Sequence, residues 1–263
     1  MNALLVILIF IVYPIFFFSR SNLVNVNEIS LTPSLTYIAG TDSLGRDFFL
    51  RCIQGAYLSL VMAILGLLLS HIIGFIIGSL ATFKKFKINF WLPRLIDLFD
   101  ALPSYLVVCV LAICWQQVFV NFGVLSKSIL SLILSMAMVS WMSIARIVRL
   151  EILQLLDQEY ILNAKIMGAN FIQLIKSHFY KYTIKILVIS MVQKLPHFIL
   201  MESFLSYLGI GIVPPYLSLG GLIAEGWRYA YLRPILFLVP SMFLVLISLQ
   251  FKLILSRFNR LLS

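Results

Sequence analysis

The sequence predicts an all-α, polytopic membrane protein with six transmembrane helices, and its composition is the first support for this fold class. Of its 263 residues, 62% are hydrophobic and only 11% are charged, whereas a soluble domain carries about 25% charged residues. The mean hydropathy is +1.04. One globular core cannot bury this much apolar surface, and disorder requires low hydrophobicity. The composition therefore disfavours a water-soluble enzyme and a disordered chain.

The apolar residues are grouped into runs that can cross a bilayer, for which a helix needs about 20 mostly apolar residues. Five runs contain no charged residue: Ala3–Phe18, Cys52–Phe83, Ala101–Ser126, Ser128–Ala145 and Pro234–Phe251. A sixth apolar run, Ile186–Ile212, contains Lys194 and Glu202, and we interpret it as the fifth span in chain order.

The distribution of lysine and arginine predicts the orientation of the chain. With the amino terminus in the cytoplasm, the inner segments hold 13 basic residues and the outer segments hold 6. Cytoplasmic loops of membrane proteins carry the excess of basic residues, so this orientation is favoured. The first span argues weakly against it, since Arg20 follows it and no basic residue precedes it. The net charge of +10 is therefore mostly a topology signal, and we expect no nucleic acid partner.

The predicted spans divide the chain into two regions. Residues 1–55 form the first transmembrane helix and an extracytoplasmic segment, and residues 56–263 form a core of five helices. The longest inner segment, residues 147–182, has the pattern of two short helices. The first is Asp157–Met167, and Gly168 suits the left-handed residue that closes a helix.

A second short helix is predicted at Phe171–Phe179, where Asn170 provides a capping residue. Phe171, Ile172 and Ile175 then lie on one face of this helix. An apolar helix face outside the membrane is covered either by a partner protein or by the membrane surface. A membrane-lying helix would carry a larger basic face, so we favour a partner protein.

No catalytic or metal-binding motif is recognisable in the sequence. It contains no G-x-x-x-x-G-K-[ST] phosphate loop, no H-E-x-x-H motif, no paired cysteine motif and no G-x-S-x-G elbow. His71, His178 and His197 are far apart, and we expect each to be hydrogen-bonded locally. Three cysteines argue against a disulfide framework, and we expect Cys109 and Cys114 to be small buried hydrophobic residues. We therefore predict no catalytic residue and no metal ligand.

One pair of carboxylates, Asp97 and Asp100, could be offered as the catalytic pair of a membrane enzyme. The two residues lie three positions apart at the inner end of a span, and Arg94 precedes Asp97 by three positions. We favour neutralisation of these carboxylates by Arg94 and solvent over catalysis.

Lys194 and Glu202 are ionisable residues inside a predicted span, where such groups face a bundle interior or a watery path. They are eight residues apart, which is about 12 Å along a helix axis, so a direct salt bridge between them is not expected. A structural role for Glu202 and a place on a translocation route both remain open. The candidate path residues are Glu202, Ser206, Lys194 and His197.

Three stretches of the sequence resemble one family. GTDSLGRDFFLRCIQGAYLSL (Gly40–Leu60) and ESFLSYLGIGIVPPYLSLGGLI (Glu202–Ile223) resemble motifs of the C-type permeases of peptide and nickel ABC importers. EYILNAKIMGANFIQLIKSHF (Glu159–Phe179) resembles the EAA loop of ABC importer permeases in general. A weaker likeness is RLIDLFDALPSYLV (Arg94–Val107). Together these stretches cover the chain from about Gly40 onward.

The resemblance implies the type I ABC importer permease architecture in a bacterial-type inner or plasma membrane. It implies four kinds of contact: a second homologous permease, two cytoplasmic ATPase subunits, an extracytoplasmic substrate-binding protein, and membrane lipid. ATP and Mg would be used by the ATPases, with no cofactor and no enzyme activity in this chain. Peptides are the first choice of substrate, and nickel or a metal chelate is the second. A stand-alone secondary transporter or channel is the competing class, and a membrane enzyme is the third.

In the family, the second short helix of the EAA loop docks on the ATPase and transmits its closure, so the resemblance gives a role to residues of this loop. Asn163 stands at the first alanine position of the motif, and Lys194 and His197 add polarity to a span that is normally more apolar. The residues to which the resemblance assigns ATPase coupling are Glu159, Ala164, Gly168, Asn170, Phe171, Ile172, Ile175 and His178.

Overall fold

The computed structural model of the chain describes residues 24–82, 88–168 and 180–262, and in these ranges the regular structure is helical. A short 3-10 turn at Val26–Glu28 and an isolated bridge between Thr41 and Asp47 precede the first long helix. The all-α class predicted from the sequence is confirmed. In chain order the helices are α1 (Phe48–Leu80), α2 (Ile88–Asp100), α3 (Ser104–Val118), α4 (Val124–Leu156), α5 (Glu159–Ile166), α6 (Tyr180–Tyr207), α7 (Leu219–Arg228) and α8 (Ile235–Leu262).

Four of the described helices, α1, α4, α6 and α8, are long and apolar enough to cross a membrane. The residues of α2 and α3 form a pair bent by 93°, which makes a fifth span if the pair is counted as one. The predicted first span, Ala3–Phe18, lies outside the described residues. The described part of the chain therefore accounts for four of the six predicted spans as continuous helices and for one as a bent pair.

The predicted third span, Ala101–Ser126, has the wrong bounds. Its helix, α3, begins after Pro103 and has only 15 residues, because the chain turns at residues 119–123 before α4 begins. In this turn the Phe122 amide donates to the Phe119 carbonyl at 3.0 Å. A run without charged residues is not always one continuous helix, and the charge pattern contains no mark of this turn.

The predicted fourth span, Ser128–Ala145, is too short. Helix α4 has 33 residues and continues past Arg146 and Arg149 to Leu156. The inner segment 147–182 therefore starts as an extension of a transmembrane helix and not as a loop. Basic residues mark the edge of the hydrocarbon core, but they do not end a helix, because their long side chains can reach the interface from it.

Helix α1 begins with a polar cap and packs closely on α4. The Asp47 carboxylate accepts from the Phe49 and Leu50 amides at 2.9 and 3.2 Å, which satisfies two free amides at the helix start. Further along α1, a Cβ added at Gly78 would lie 2.6 Å from the Ala145 carbonyl oxygen. The absence of a side chain there lets the two helix backbones approach each other.

The outer loop between α6 and α8 contains a helix that the sequence did not predict. Helix α7 follows Pro214 and Pro215, and Leu219 and Leu222 on it are completely buried. With only 10 residues it is too short to span a membrane. It packs against α1, α6 and α8 and closes the end of the helix bundle that is predicted to face outward and is called the outer end below.

The cysteines differ from the prediction in one case. Cys109 is buried as expected, whereas Cys114 on the same helix is exposed. It lies on a face of α3 that no described helix of this chain covers. The expectation for Cys114 was wrong because an apolar run shows that a residue is surrounded by apolar groups, but not whether they belong to protein or lipid.

Candidate functional site

Buried ion pairs hold the segment that precedes α1. Asp42 Oδ2 accepts from Arg46 Nε at 2.7 Å and from Arg51 Nη1 at 2.6 Å. Arg51 also reaches α7, where its Nη2 lies 3.1 Å from Glu225 Oε2. The side chains of Arg51 and Asp42 are each only 2% exposed. Because Arg51 has a carboxylate on either side, it joins the outer segment, α1 and α7 into one unit.

The rest of the outer segment is ordered by polar contacts. The Thr41 hydroxyl donates to the Glu28 carbonyl at 2.6 Å. The Tyr37 hydroxyl donates to the Glu28 carboxylate, and this bond raises the pKa of the Tyr37 phenol above its usual value. Arg233 Nη2 donates to the Ser30 carbonyl at 2.5 Å and so attaches the segment to the chain just before α8.

A cavity of ≈ 820 Å³ lies beside these ion pairs, between the outer segment, the loop after α6, and α7. Its size is within the range of about 300–1,000 Å³ that is usual for small-molecule sites. The charged residues that line it are Arg46, Arg51, Glu225 and Arg228. The ion pairs of Arg51 therefore form part of one wall of a cavity at the outer end of the bundle.

Glu202 lies where α1, α6 and α7 meet. Its side chain is completely buried, and Oε1 accepts from the Ser206 hydroxyl at 2.7 Å. Ser59 of α1 accepts from the first amide of α7 at 3.1 Å. A Cβ at Gly220 would clash with the Ser203 carbonyl oxygen, so the backbones of α6 and α7 are in direct contact. Of the two roles left open for Glu202, this arrangement favours the structural one.

Lys194 and His197 line a separate polar pocket of ≈ 250 Å³, which also includes residues of α2–α4. Lys194 Nζ donates to Ser143 Oγ of α4 at 2.7 Å. His197 Nδ1 lies 3.4 Å from the hydroxyl of Tyr105 on α3, and the two rings meet edge to face with centroids 5.5 Å apart. The pocket is therefore built by side chains from at least three helices.

The four candidate path residues do not form one site. Glu202 contacts Ser206, which borders the outer cavity, whereas Lys194 and His197 border the smaller pocket. Lys194 donates to Ser143 and Glu202 accepts from Ser206, in agreement with the expectation that the two residues form no direct salt bridge. Their assignment to a translocation path stays a prediction.

The other histidines have different outcomes. Nδ1 of His71 lies 2.8 Å from the carbonyl oxygen of Leu67, one turn earlier, which confirms local bonding for this residue. Its Nε2 also lies 2.8 Å from Ser190 Oγ on α6, a contact that the sequence could not indicate. His178 lies outside the described residues.

The carboxylate of Asp97 has a partner from another helix. Arg146 Nη2 of α4 donates to Asp97 Oδ1 at 3.0 Å, and both side chains are exposed. This ion pair is consistent with the expected neutralisation of Asp97 and identifies a basic residue that spacing along the chain did not indicate. An exposed pair of this kind stabilises a fold by about 0–1 kcal/mol.

The described part of the predicted coupling segment 147–182 consists of the inner end of α4, α5 with the turn that follows it, and the first residues of α6. Glu159 is the first residue of α5, Ala164 lies within it, and Gly168 has φ +86°. The predicted left-handed conformation of Gly168 is confirmed. Ile166 and Met167 are 83% and 82% exposed, so apolar side chains extend into solvent here. Five predicted coupling residues lie outside the described residues: Asn170, Phe171, Ile172, Ile175 and His178.

Two contacts between distant residues, Arg51 with Glu225 and Lys194 with Ser143, could not be predicted from the sequence. Arg51 directly precedes the predicted span Cys52–Phe83 and was counted as a loop residue, and its partner Glu225 is 174 positions away. Ser143 is 51 positions from Lys194. Charged residues beside apolar runs could have been singled out as candidates for buried ion pairs, but a single sequence does not show which of these residues contact each other.

A comparison with known protein families identifies the class of the chain. A family model described as "Binding-protein-dependent transport system inner membrane component" matches residues 70–263. The chain belongs to this family. The predicted membrane location and the predicted family are thereby confirmed, and the apolar helices are the membrane-spanning elements of an inner membrane component.

Relatives of this inner membrane component are similar to it over most of its length. The oligopeptide transport system permease protein OppC of Bacillus subtilis is 32% identical, over 95% of this chain and 79% of the relative. The dipeptide transport system permease protein DppC of the same organism is 33% identical, over 77% of this chain and 60% of the relative. OppC of Haemophilus influenzae is 28% identical, over 87% and 71%.

Solved structures show the fold of the family in this chain. The inward-facing MetNI methionine ABC transporter matches with a TM-score of 0.62, over 80% of this chain and 95% of that one, at 18% identity. A second crystal form of the same transporter gives a TM-score of 0.63. The predicted ABC importer permease architecture is therefore confirmed.

Proposed function

We propose that this chain forms half of the translocation path of an ATP-binding-cassette importer for peptides. The observation that carries this proposal is the similarity to permeases of oligopeptide and dipeptide transport systems, at 32–33% identity. The cavity of ≈ 820 Å³ at the outer end of the bundle supports it, since a small peptide is of this size class.

The proposed partners are a second homologous permease, two cytoplasmic ATPases that use ATP and Mg, and an extracytoplasmic substrate-binding protein. Exposed apolar side chains recur along α1 and α8 and provide faces for a second permease and for lipid. The ordered outer segment and the outer cavity provide a shaped surface for the binding protein. Nickel or metal-chelate uptake has no comparable support, since no group of three metal-ligating side chains occurs within the described ranges.

Coupling to the ATPases is proposed to occur through the inner segment 147–182. Because α4 continues from the membrane to Leu156, a movement at its inner end is transmitted along one rigid helix. Helix α5 and the left-handed turn at Gly168 then set the direction of the chain that follows. Closure of the ATPase pair on ATP would thus rock the transmembrane helices and alternate the access of the path.

Purification of the tagged chain from its native membrane tests the assembly. We expect a second permease and a stoichiometric ATPase to be purified with it, because the exposed apolar faces need partners. An active transporter made of this chain alone would contradict the proposal and would favour a secondary transporter or channel.

A deletion strain tests the substrate. We expect the strain to lose growth on peptides as the only amino-acid source and to keep normal nickel accumulation. The reverse result would assign the importer to nickel or a metal chelate and would leave the ABC permease class unchanged.

A further inference from the structure

We propose that Arg228, which borders the outer cavity, docks an acidic side chain of the extracytoplasmic substrate-binding protein. The inference rests on the proposed function, since it assumes that this permease works with such a protein. It goes beyond that function because it assigns the contact to one named side chain and states the charge of the group that the partner contributes.

The charges of the outer cavity are the first argument. Arg46 and Arg51 both pair with Asp42, and Arg51 also pairs with Glu225. No described carboxylate lies within ion-pair distance of Arg228, which is exposed at the end of α7. Three arginines thus share two carboxylates, and among the charged side chains described at this cavity the positive charge of Arg228 is the one left over.

The rest of the sequence offers no other carboxylate for Arg228. On the outer side, Glu28 accepts from a tyrosine hydroxyl and Asp47 caps α1. Residues 1–23 contain neither aspartate nor glutamate. Glu202 is completely buried, and the remaining acidic residues belong to the predicted inner segments. A carboxylate that pairs with Arg228 therefore comes from another molecule, and until it arrives water solvates this exposed charge.

Aromatic and apolar side chains flank Arg228 in the chain. Trp227 and Tyr229, its two neighbours, are 59% and 41% exposed. Tyr231 and Leu232 follow before α8 begins, and they are completely and 84% exposed. Tryptophan, tyrosine and arginine are the residues that dominate the binding energy of protein interfaces. The turn between α7 and α8 therefore has the composition of a protein-binding surface.

A protein fits this surface better than other sources of an anion do. Anionic lipid is bound by clusters of about four to eight basic residues, whereas the arginines described at this cavity other than Arg228 are already paired. A small peptide can enter the cavity, but Tyr231 and Leu232 do not line it. A protein with a carboxylate beside an apolar surface covers both, and the substrate-binding protein is the partner proposed for this side.

Binding of the purified cognate substrate-binding protein to the assembled importer in nanodiscs tests the contact. We expect Arg228→Met to weaken binding about tenfold and Arg228→Glu to weaken it further, because the latter brings two like charges together. Arg228→Lys keeps the charge and should weaken binding less than about threefold. Lys127→Met is the matched control, since Lys127 is near the start of α4 and does not line the cavity. Unchanged binding to Arg228→Glu would overturn the proposal.

A charge exchange identifies the partner group and controls for misfolding of the variants. Each exposed aspartate and glutamate of the binding protein is changed in turn to lysine, and each variant is tested on the unaltered importer and on Arg228→Glu. We expect one such change to weaken binding to the unaltered importer and to strengthen binding to Arg228→Glu about tenfold. Absence of any rescuing change would overturn the proposal, even if Arg228→Glu alone weakens binding.

The ligand of the binding protein separates the two sources of a carboxylate. The binding measurement is repeated with the binding protein loaded with trialanine and with the carboxy-terminal amide of trialanine. We expect Arg228→Met to weaken binding equally with both. A loss confined to free trialanine would place the peptide carboxylate at Arg228 and would overturn the proposed protein contact.

Peptide uptake in proteoliposomes tests the proposed function independently of this contact. If the unaltered importer takes up no trialanine, the peptide substrate is rejected, while rescue by charge exchange would still support the contact at Arg228. If the unaltered importer binds no substrate-binding protein, the proposed assembly is rejected together with this contact.

Discussion

At Arg51, the stability of the outer end depends on one guanidinium held between two carboxylates. Asp42 lies 2.6 Å away on one side and Glu225 lies 3.1 Å away on the other. Buried charges attract strongly in a low-dielectric environment, and removal of Arg51 would leave Asp42 with Arg46 as its remaining guanidinium partner. The sequence motif that contains Arg51 is therefore explained by packing between α1 and α7.

We predict that Arg51→Met destabilises the chain by about 1–3 kcal/mol, because Asp42 keeps Arg46 but loses its second guanidinium partner, and Glu225 loses Arg51. Thermal unfolding of the purified complex in detergent measures this loss. Arg228→Met is the matched control, since Arg228 borders the same cavity but is exposed, and it should have little effect. Equal unfolding temperatures for the two variants would contradict the assigned role.

Gly168 has a backbone conformation that favours glycine. Its φ of +86° is a left-handed conformation, and there is open space around the position of a Cβ. We predict that Gly168→Val lowers peptide-stimulated ATP hydrolysis and uptake several-fold, because a β-branched residue is strained there. Gly168→Asn should retain most activity, because Asn tolerates this region.

Gly123→Ala is the control for this prediction. Gly123 also has open space but has φ −55°, so a side chain is tolerated. Normal coupling in Gly168→Val would show that the left-handed turn is not needed to position the chain after α5.

At the element scale, the contact between α1 and α4 forms the centre of the bundle. Met136 and Ala137 of α4 and Ala63 of α1 are buried there, and Gly74 and Gly78 allow the backbones to approach. Helix association in lipid depends on close packing, because lipid tails are as apolar as leucine side chains. The small residues of α1 therefore stabilise this helix pair.

Gly78→Val is predicted to destabilise the bundle by about 1–3 kcal/mol, because its Cβ would lie 2.6 Å from the Ala145 carbonyl oxygen. Gly66→Ala is the control, since its nearest neighbour would be at an ordinary 3.5 Å. Unfolding temperatures in detergent measure both variants. The packing argument is wrong if Gly66→Ala is as destabilising as Gly78→Val.

At the scale of the whole molecule, large apolar surfaces remain uncovered. Leu65, Leu68, Ile72 and Ile76 recur every three or four residues along α1 and are 41–56% exposed. One face of α8 shows the same pattern from Leu238 onward. In a membrane subunit, such faces contact lipid or a second subunit. The bundle in this chain is therefore expected to be completed by partners.

The orientation of the whole molecule is testable with single thiols in a Cys114→Ser background. Leu35 is completely exposed in the outer segment, and Met167 is 82% exposed after α5. We predict that Leu35→Cys is labelled by a membrane-impermeant reagent in intact cells, and Met167→Cys only after permeabilisation. The excess of basic residues on the inner side is the physical reason. Labelling in the opposite pattern would reverse the assigned topology.

The sequence by itself determined the membrane class, the approximate positions of the long helices, the family, and the left-handed turn at Gly168. These features depend on local composition, on hydrophobic runs and on short motifs, all of which can be recognised in consecutive residues. For the same reason the sequence missed the turn at residues 119–123, whose residues are as apolar as those of the helices beside it.

Only the tertiary structure decided which distant side chains meet. The pairing of Arg51 with Glu225, the contact of Lys194 with Ser143, and the pocket that contains His197 all join residues from different helices. A single sequence specifies that a charge lies within an apolar stretch, but not the neighbour that makes its burial possible. That neighbour is fixed by how the helices pack, and the packing of this chain brings polar residues that are far apart in the sequence into contact.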